Sequence, residues 1–132
     1  MRHALVVEDD AHNATLFRKI LEKRLGCRVT VTEDPAEVLA EVRTGTVVLV
    51  VLDVSLRHSL WQGRPIGGAE LCRLIRVEAR THVPVLLATA HAMRGDAERL
   101  MTESGADDYV SKPIVDHAAF AEQAKALLSE AA

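Results

Sequence analysis

Short apolar runs alternate with amphipathic segments along the whole chain, and this alternation predicts an α/β fold. β-Branched and other apolar residues dominate five runs, which predicts strands at residues 3–8, 28–32, 46–53, 83–89 and 107–111. Between and after these runs apolar residues recur at helical spacing, which predicts helices at residues 11–25, 35–43, 68–80, 96–104 and 115–128. Each predicted strand is therefore followed by a helix, and the pair occurs five times.

Residues at the ends of the segments support these assignments. Gly26 follows the first helix, where a residue with positive φ commonly ends a helix. Asp34 is a good N-cap, and Pro35 suits the first position of the helix that follows. Residues 46–53 are almost all apolar, as expected of a central strand that is buried on both faces.

The five strand–helix units predict one doubly wound, five-stranded parallel sheet. Parallel strands need crossover connections, and right-handed crossovers place helices on both faces. The chain has 132 residues, which fits a single domain over residues 1–132. The connection from Val54 to Gly67 is unusual, because such loops usually have about 2–6 residues. It contains Trp61, the only tryptophan of the chain.

Composition excludes several classes of protein. The formal net charge is −3 and the sequence has no basic stripe, which argues against a nucleic-acid partner. No run reaches the roughly 18 apolar residues of a membrane span, and the first residues do not form an apolar leader. Cys27 and Cys72 lack metal-ligand spacing and are expected to be buried, reduced thiols. We therefore expect a cytoplasmic protein without a membrane partner.

Residues that can act on phosphate follow four of the predicted strands. Glu8 and Asp9 lie at the end of the first strand, Asp53 ends the third, Thr89 ends the fourth and Lys112 follows the fifth. Open α/β sheets bind ligands at this edge. A carboxylate can attack phosphorus if a cation such as Mg²⁺ offsets the repulsion between anions, and an ammonium can pair with phosphoryl oxygens. Each residue alone also suits a turn or a cap, but their joint placement favours a phosphoryl site.

Four motifs, in this order, resemble the receiver domain of bacterial response regulators. They are VVEDD, LDVSL, ATA and YVSKPI, at residues 6–10, 52–56, 88–90 and 109–114. Residues 89–96 also resemble the stand-alone, cell-cycle type of single-domain receiver. The resemblance covers essentially the whole chain. It implies a flavodoxin-like (βα)5 fold with strand order 2-1-3-4-5, which is an order typical of that family.

The resemblance implies a phosphoacceptor and a metal site. Asp53 matches the phosphoacceptor, and Asp9 matches the direct ligand of Mg²⁺ (or Mn²⁺). Glu8 matches the second acid of the pair, which acts more through water. Ser55 matches the position whose backbone carbonyl completes the metal site, whereas Asp10 is not expected to be a main ligand.

The resemblance also implies a conformational switch. Thr89 matches the switch hydroxyl, Tyr109 the switch aromatic residue, and Lys112 the lysine that pairs with the phosphoryl group. The bond between Lys112 and Pro113 is expected to be a cis peptide, and His91 matches a position that tunes dephosphorylation through solvent access.

The implied function is phosphorelay signalling rather than enzymatic turnover. A sensor histidine kinase or a histidine phosphotransfer protein would donate a phosphoryl group to Asp53. The domain would assist only its own phosphotransfer and dephosphorylation. The last predicted helix uses the remaining tail, so we expect no output domain and an output through contact with a downstream protein.

Two departures from the family pattern concern the rim of the site. Leu56 and Arg57 stand where receivers commonly have Met-Pro, and the glycine that starts the third helix comes late, at Gly68. Trp61 has two interpretations, as a residue packed over the third helix or as a contact for a partner protein.

Two other functions are compatible with a similar sheet. An aspartate-nucleophile phosphatase would need a second Asp two residues after the nucleophile, where this chain has Ser55. A phosphorylation-independent interaction module would not need the intact set of Asp9, Asp53, Thr89 and Lys112.

Overall fold

The fold is an α/β sandwich, as predicted. A computed structural model of the chain describes residues 2–79, 81–90 and 94–130. The strands of this part are β1 (His3–Val7), β2 (Arg28–Thr32), β3 (Val47–Asp53), β4 (Leu60–Trp61), β5 (Arg64–Pro65), β6 (Val85–Thr89) and β7 (Asp108–Ser111). The helices are α1 (Ala11–Leu25), α2 (Pro35–Arg43), α3 (Gly68–Glu78), α4 (Arg94–Ser104) and α5 (His117–Glu130).

The five long strands form one parallel sheet in the order β2-β1-β3-β6-β7. Numbered among themselves along the chain, these strands have the order 2-1-3-4-5, so the prediction is confirmed. In the register of the sheet Val6 pairs with both Val31 and Val51, while Asp53 pairs with Ala88. The carboxyl ends of β1, β3 and β6 therefore lie side by side.

The sheet is covered on both faces by separate apolar layers. On one face α1 and α5 pack together, and the rings of Phe17 and Phe120 lie with centroids 5.3 Å apart. On the other face α2 and α3 contribute buried residues such as Leu39 and Leu71. The strand β3 is buried on both faces, and this burial accounts for its nearly continuous apolar sequence.

Most predicted helix ends agree with the structure. Gly26 has φ 66° and ends α1, and the side chain of Asp34 accepts a hydrogen bond from the backbone N–H of Ala36 at the start of α2. The last helix begins two residues later than predicted, because Asp116 Oδ1 accepts a hydrogen bond from the Ala119 N–H at 2.9 Å and caps it. Arg80, the predicted end of the third helix, lies outside the described residues.

The long connection from Val54 to Gly67 contains a small hairpin that we predicted only as a loop. Its strands β4 and β5 are antiparallel and joined by Gln62 and Gly63, whose φ angles are 53° and 80°. Two successive positive φ angles are typical of the type I′ turn, which fits tight hairpins. Two-residue strands are too short to produce a recognisable alternation in sequence, so the hairpin was missed.

The start of α3 lies directly against the end of β3. The Gly68 N–H donates a hydrogen bond to the Val54 carbonyl at 2.9 Å. A Cβ built on Gly68 would overlap the backbone of Asp53 and come within 2.7 Å of the Val54 Cα. Glycine is therefore needed here for close backbone approach, although its φ is not positive.

We predict that Gly68→Ala lowers the free energy of unfolding by about 1–3 kcal/mol, because the added methyl group over-packs rigid backbone. Urea unfolding measures this change. Gly95→Ala in α4 is a matched control, since an added Cβ there meets nothing within 4 Å. Alanine at position 95 should be neutral or stabilising by about 0.5–1 kcal/mol. Equal effects of the two substitutions would contradict the steric explanation.

Candidate functional site

The carboxyl edge of the sheet forms an open cleft that contains most of the predicted site residues. Its volume is about 450 Å³. The cleft is lined by Glu8, Asp9, Asp10, Asn13, Asp53, Ser55, Arg57, His58, Ala90, Lys112 and Pro113. The described part of the chain thus brings together the carboxylates and the ammonium that follow separate strands in the sequence.

Asp53 lies at the centre of this cleft. It ends β3 and is 2% exposed. Its Oδ1 accepts hydrogen bonds from Lys112 Nζ at 3.0 Å and from the Ser55 backbone N–H at 3.1 Å. A carboxylate held by a cation and a backbone donor is kept in one orientation at the end of a rigid strand.

Glu8 is the second acid in contact with Lys112. The distance from Lys112 Nζ to Glu8 Oε1 is 3.2 Å, and the other oxygen of Glu8 accepts the Asp10 backbone N–H at 3.3 Å. Burial of Glu8 and the nearby Asp53 carboxylate raise the pKa of Glu8 to about 7. Burial alone would lower the pKa of Lys112, but its contacts with Asp53 and Glu8 raise it.

Asp9 and Asp10 have different structural roles. Asp9 Oδ2 accepts the Arg57 backbone N–H at 2.9 Å and lies 3.9 Å from His58 Nδ1. Asp10 Oδ1 instead accepts the Asn13 backbone N–H at 3.0 Å and caps α1. Asp10 therefore serves the helix, in line with the expectation that it is not a main metal ligand.

The donor set fits a hard divalent cation. One carboxylate oxygen from each of Glu8, Asp9 and Asp53 lies within 4.8 Å of the other two. Mg²⁺ prefers oxygen ligands and usually binds one or two carboxylates together with water. Lys112 supplies one positive charge against three carboxyl groups, so a divalent cation would offset the remaining repulsion.

The two predicted switch residues lie on neighbouring strands. Thr89 ends β6 and is buried, and the Lys112 N–H donates to its carbonyl at 2.8 Å. Tyr109 is half-buried on β7, and its carbonyl accepts a hydrogen bond from Gln123 Nε2 at 2.6 Å. The peptide before Pro113 is cis, as expected.

His91, the predicted residue for control of dephosphorylation, lies outside the described residues.

The sequence analysis missed the contribution of the long connection to the cleft. Arg57 and His58 both line it and both contact Asp9 through the atoms given above. The only signal in the sequence was their position just after Asp53. Trp61 is half-buried and packs against the apolar layer on the α3 face. This contact supports the packing interpretation of Trp61.

A sequence profile of the response regulator receiver domain matches residues 4–125 of the chain. The chain belongs to this family. Receiver domains are the signalling phosphoacceptors of two-component systems, so the chain has this general role. The prediction of a receiver domain from the motifs at the four strand ends is confirmed.

Two curated relatives illustrate the range of proteins that contain such a domain. The chain is 32% identical over 114 residues to the polar-differentiation response regulator DivK of Brucella ovis, which covers 86% of the chain and 85% of DivK. It is 36% identical over 113 residues to hybrid signal transduction histidine kinase I of Dictyostelium discoideum. The second alignment covers 83% of the chain but only 6% of the kinase.

Solved structures show the same fold. The CheY-like receiver domain protein from Methanospirillum hungatei has a TM-score of 0.79 at 24% identity, covering 99% of this chain and 96% of that one. The receiver domain of the sensor histidine kinase PA1611 from Pseudomonas aeruginosa has a TM-score of 0.78 at 25% identity. It covers 97% of this chain and 98% of that one, and its active-site cleft holds a magnesium ion.

Within the described ranges, none of the helices combines the length and the apolar character that crossing a membrane requires.

We predict that Glu8→Gln stabilises the metal-free protein at pH 8 by about 1–2 kcal/mol and much less at pH 5. The pKa of Glu8 is about 7 in the folded protein, against an ordinary value of 4.5. The folded state therefore holds a proton that the unfolded chain releases, and stability falls as the pH rises from about 4.5 to about 7. Urea unfolding in the presence of a chelator measures the difference.

The matched control is Glu22→Gln on the exposed side of α1, where Glu22 forms a surface pair with Arg18. Its effect should be small at both pH values, because exposed ion pairs contribute at most about 1 kcal/mol. An equal effect of Glu8→Gln at pH 5 and pH 8 would contradict the assignment of the raised pKa.

Proposed function

We propose that the chain accepts a phosphoryl group on Asp53 from a sensor histidine kinase or a histidine phosphotransfer protein. The observation that most supports this is the contact of Lys112 with both Asp53 and Glu8 inside a cluster of three acids. The cluster lies where receiver domains and other open α/β proteins bind their ligands. Apart from the phosphoryl donor and a divalent cation, the groups that take part in the proposed transfer lie in the described cleft.

In the proposed transfer, a carboxylate oxygen of Asp53 attacks the phosphorus of a phosphohistidine. The new O–P bond forms as the P–N bond breaks, and the electron pair returns to the imidazole nitrogen of the donor. Lys112 lies 3.0 Å from Asp53 and can pair with a phosphoryl oxygen once the carboxylate has become an acyl phosphate. The phosphoryl group carries almost two negative charges where the carboxylate carried one, in a cleft that already holds two other acids.

The proposed cation is Mg²⁺, or Mn²⁺ in its place. Asp9 and Asp53 would hold it directly, Glu8 through water, and Ser55 through its backbone carbonyl. When bound, the cation neutralises charge on the attacking and transferred oxygens. The oxygen-only donor set and the magnesium ion in the related PA1611 receiver support this choice.

The proposed output is a change of the surface formed by α4, β7 and α5. Thr89 would move toward the phosphoryl group, and Tyr109 would turn into the space that Thr89 leaves. Both residues lie on the neighbouring strands β6 and β7, which are paired through Thr89 and Ser111. A ligand that binds one arrangement better than another shifts the population toward it.

We further propose that residues 1–132 act as one receiver unit in the cytoplasm. Its partners would be the phosphoryl donor and a downstream protein, without nucleic acid or membrane. The alignment with DivK, which covers 86% of the chain, supports treating these residues as one receiver unit. The domain would promote only its own phosphotransfer and dephosphorylation, and it would not turn over a separate substrate.

We predict that incubation with acetyl phosphate and Mg²⁺ adds one phosphoryl group, about 80 Da, to the wild-type chain and none to Asp53→Asn, because the amide is not a nucleophile. Intact mass spectrometry gives the readout. Asp10→Asn is the matched control, since Asp10 caps α1 and should leave the modification in place. Modification of Asp53→Asn, or of the wild type in a chelator, would reject this site or its metal dependence.

We predict that Thr89→Ala is still phosphorylated but loses most of the response of Tyr109. Tyr109 is the only tyrosine of the chain, so its ring signals can be followed by NMR before and after acetyl phosphate. Thr102→Ala on the exposed side of α4 is the control. Equal shifts of the Tyr109 signals in the wild type and in Thr89→Ala would reject the coupling between these residues.

A further inference from the structure

A second group of metal-binding side chains lies at the outer rim of the cleft. One ligand atom from each of Asp9, Glu33 and His58 lies within 4.8 Å of the other two. Asp9 follows β1, Glu33 lies between β2 and α2, and His58 belongs to the long connection after β3. The three residues are far apart in sequence, so only the fold brings them together.

Hydrogen bonds of the long connection hold His58 at this place. The N–H of the preceding residue, Arg57, donates to Asp9 Oδ2 at 2.9 Å. The hydroxyl of the following residue, Ser59, donates to the Glu33 carbonyl at 2.6 Å, and Ser59 is itself buried. The residues on both sides of His58 are thus hydrogen-bonded to the two other residues of the group. This arrangement holds the backbone of His58 beside Asp9 and Glu33.

We propose that Asp9, Glu33 and His58 form a binding site for a transition-metal ion such as Zn²⁺. Imidazole and carboxylate are both ligand types that Zn²⁺ uses, and three protein ligands leave a fourth position for water. Mg²⁺ has little preference for imidazole, so the site differs in chemistry from the oxygen-only cluster around Asp53.

The ligand atoms lie farther apart than those of a bound Zn²⁺, so binding would require a side-chain adjustment. Tetrahedral Zn²⁺ with ligands at about 2 Å separates its ligand atoms by about 3.3 Å. His58 Nδ1 lies 3.9 Å from Asp9 Oδ2, and the His58 side chain is 75% exposed. Because His58 and Glu33 are both exposed, their side chains can rotate toward Asp9 without disturbing packed residues.

The competing explanation is a simple ion pair between protonated His58 and Asp9. Exposed pairs of this kind contribute little to stability, and the pair does not involve Glu33 as a ligand. A lysine at position 58 would keep a positive charge next to Asp9 but would offer no ligand at neutral pH. The substitution His58→Lys therefore separates the metal site from the ion pair.

Asp9 belongs to both groups of possible metal ligands, so a metal ion bound at one site would affect binding at the other. An ion held by His58 and Glu33 would also engage the Asp9 carboxylate, which the proposed Mg²⁺ site uses as well. Zn²⁺ should then compete with Mg²⁺ and slow phosphorylation of Asp53. This consequence rests on the proposed function, whereas binding of Zn²⁺ does not.

The first experiment titrates the full chain with Zn²⁺ alone by isothermal titration calorimetry. We expect one Zn²⁺ per chain, and a dissociation constant raised about tenfold or more by either His58→Lys or Glu33→Gln, because each removes one of three ligands. His82→Lys is the matched control. His82 Nε2 lies 2.8 Å from Asp107 Oδ1. Neither residue belongs to a group of three possible metal ligands among the described residues. This variant should bind Zn²⁺ as the wild type does.

Absence of Zn²⁺ binding to the wild type would overturn the proposal, and so would equal binding by His58→Lys and the wild type. The second experiment compares acetyl phosphate modification with and without Zn²⁺ at constant Mg²⁺. Inhibition in the wild type and in His82→Lys, but not in His58→Lys, would support competition at Asp9. If no variant is modified even without Zn²⁺, the proposed phosphoacceptor function fails while the calorimetric result for the metal site remains valid.

Discussion

The crowding of three carboxyl groups around one ammonium is the interaction on which the cleft depends. Asp53, Glu8 and Asp9 are brought together because parallel strands end at the same edge of the sheet. Lys112 offsets part of their repulsion through its contacts with Asp53 and Glu8. Burial of Glu8 and the nearby Asp53 carboxylate raise the pKa of Glu8 to about 7, so that it keeps its proton to a higher pH than an ordinary glutamate does. The metal-free cleft therefore holds mutually repelling carboxyl groups, and the proposed divalent cation would offset that repulsion.

The long connection after β3 shapes the rim of this cleft. It is anchored at three kinds of contact: the Arg57 N–H on Asp9, the Ser59 hydroxyl on the Glu33 carbonyl, and Trp61 on an apolar layer. At its far end Gly68 lets α3 begin in direct contact with the backbone of β3. The long connection consequently lies beside Asp53 and contributes side chains of its own to the rim of the cleft.

The proposed phosphoacceptor site and the proposed transition-metal site share one residue, Asp9. This sharing follows from the position of Asp9 between the sheet edge and the connection. Inward it faces the acids of the strand ends, and outward it faces His58 and Glu33. Metal binding at the rim would in this way affect metal binding at the cluster around Asp53.

The sequence by itself determined the order and type of the main elements and the family. Long apolar strands such as β3, the glycine at position 26 and the Asp34–Pro35 pair have local physical causes that act wherever the chain folds. Only the tertiary structure decided the hairpin after β3, the steric need for Gly68 and the contacts of His58 with Asp9 and Glu33. These features depend on distances between residues remote in sequence, which neither periodicity nor local propensity records.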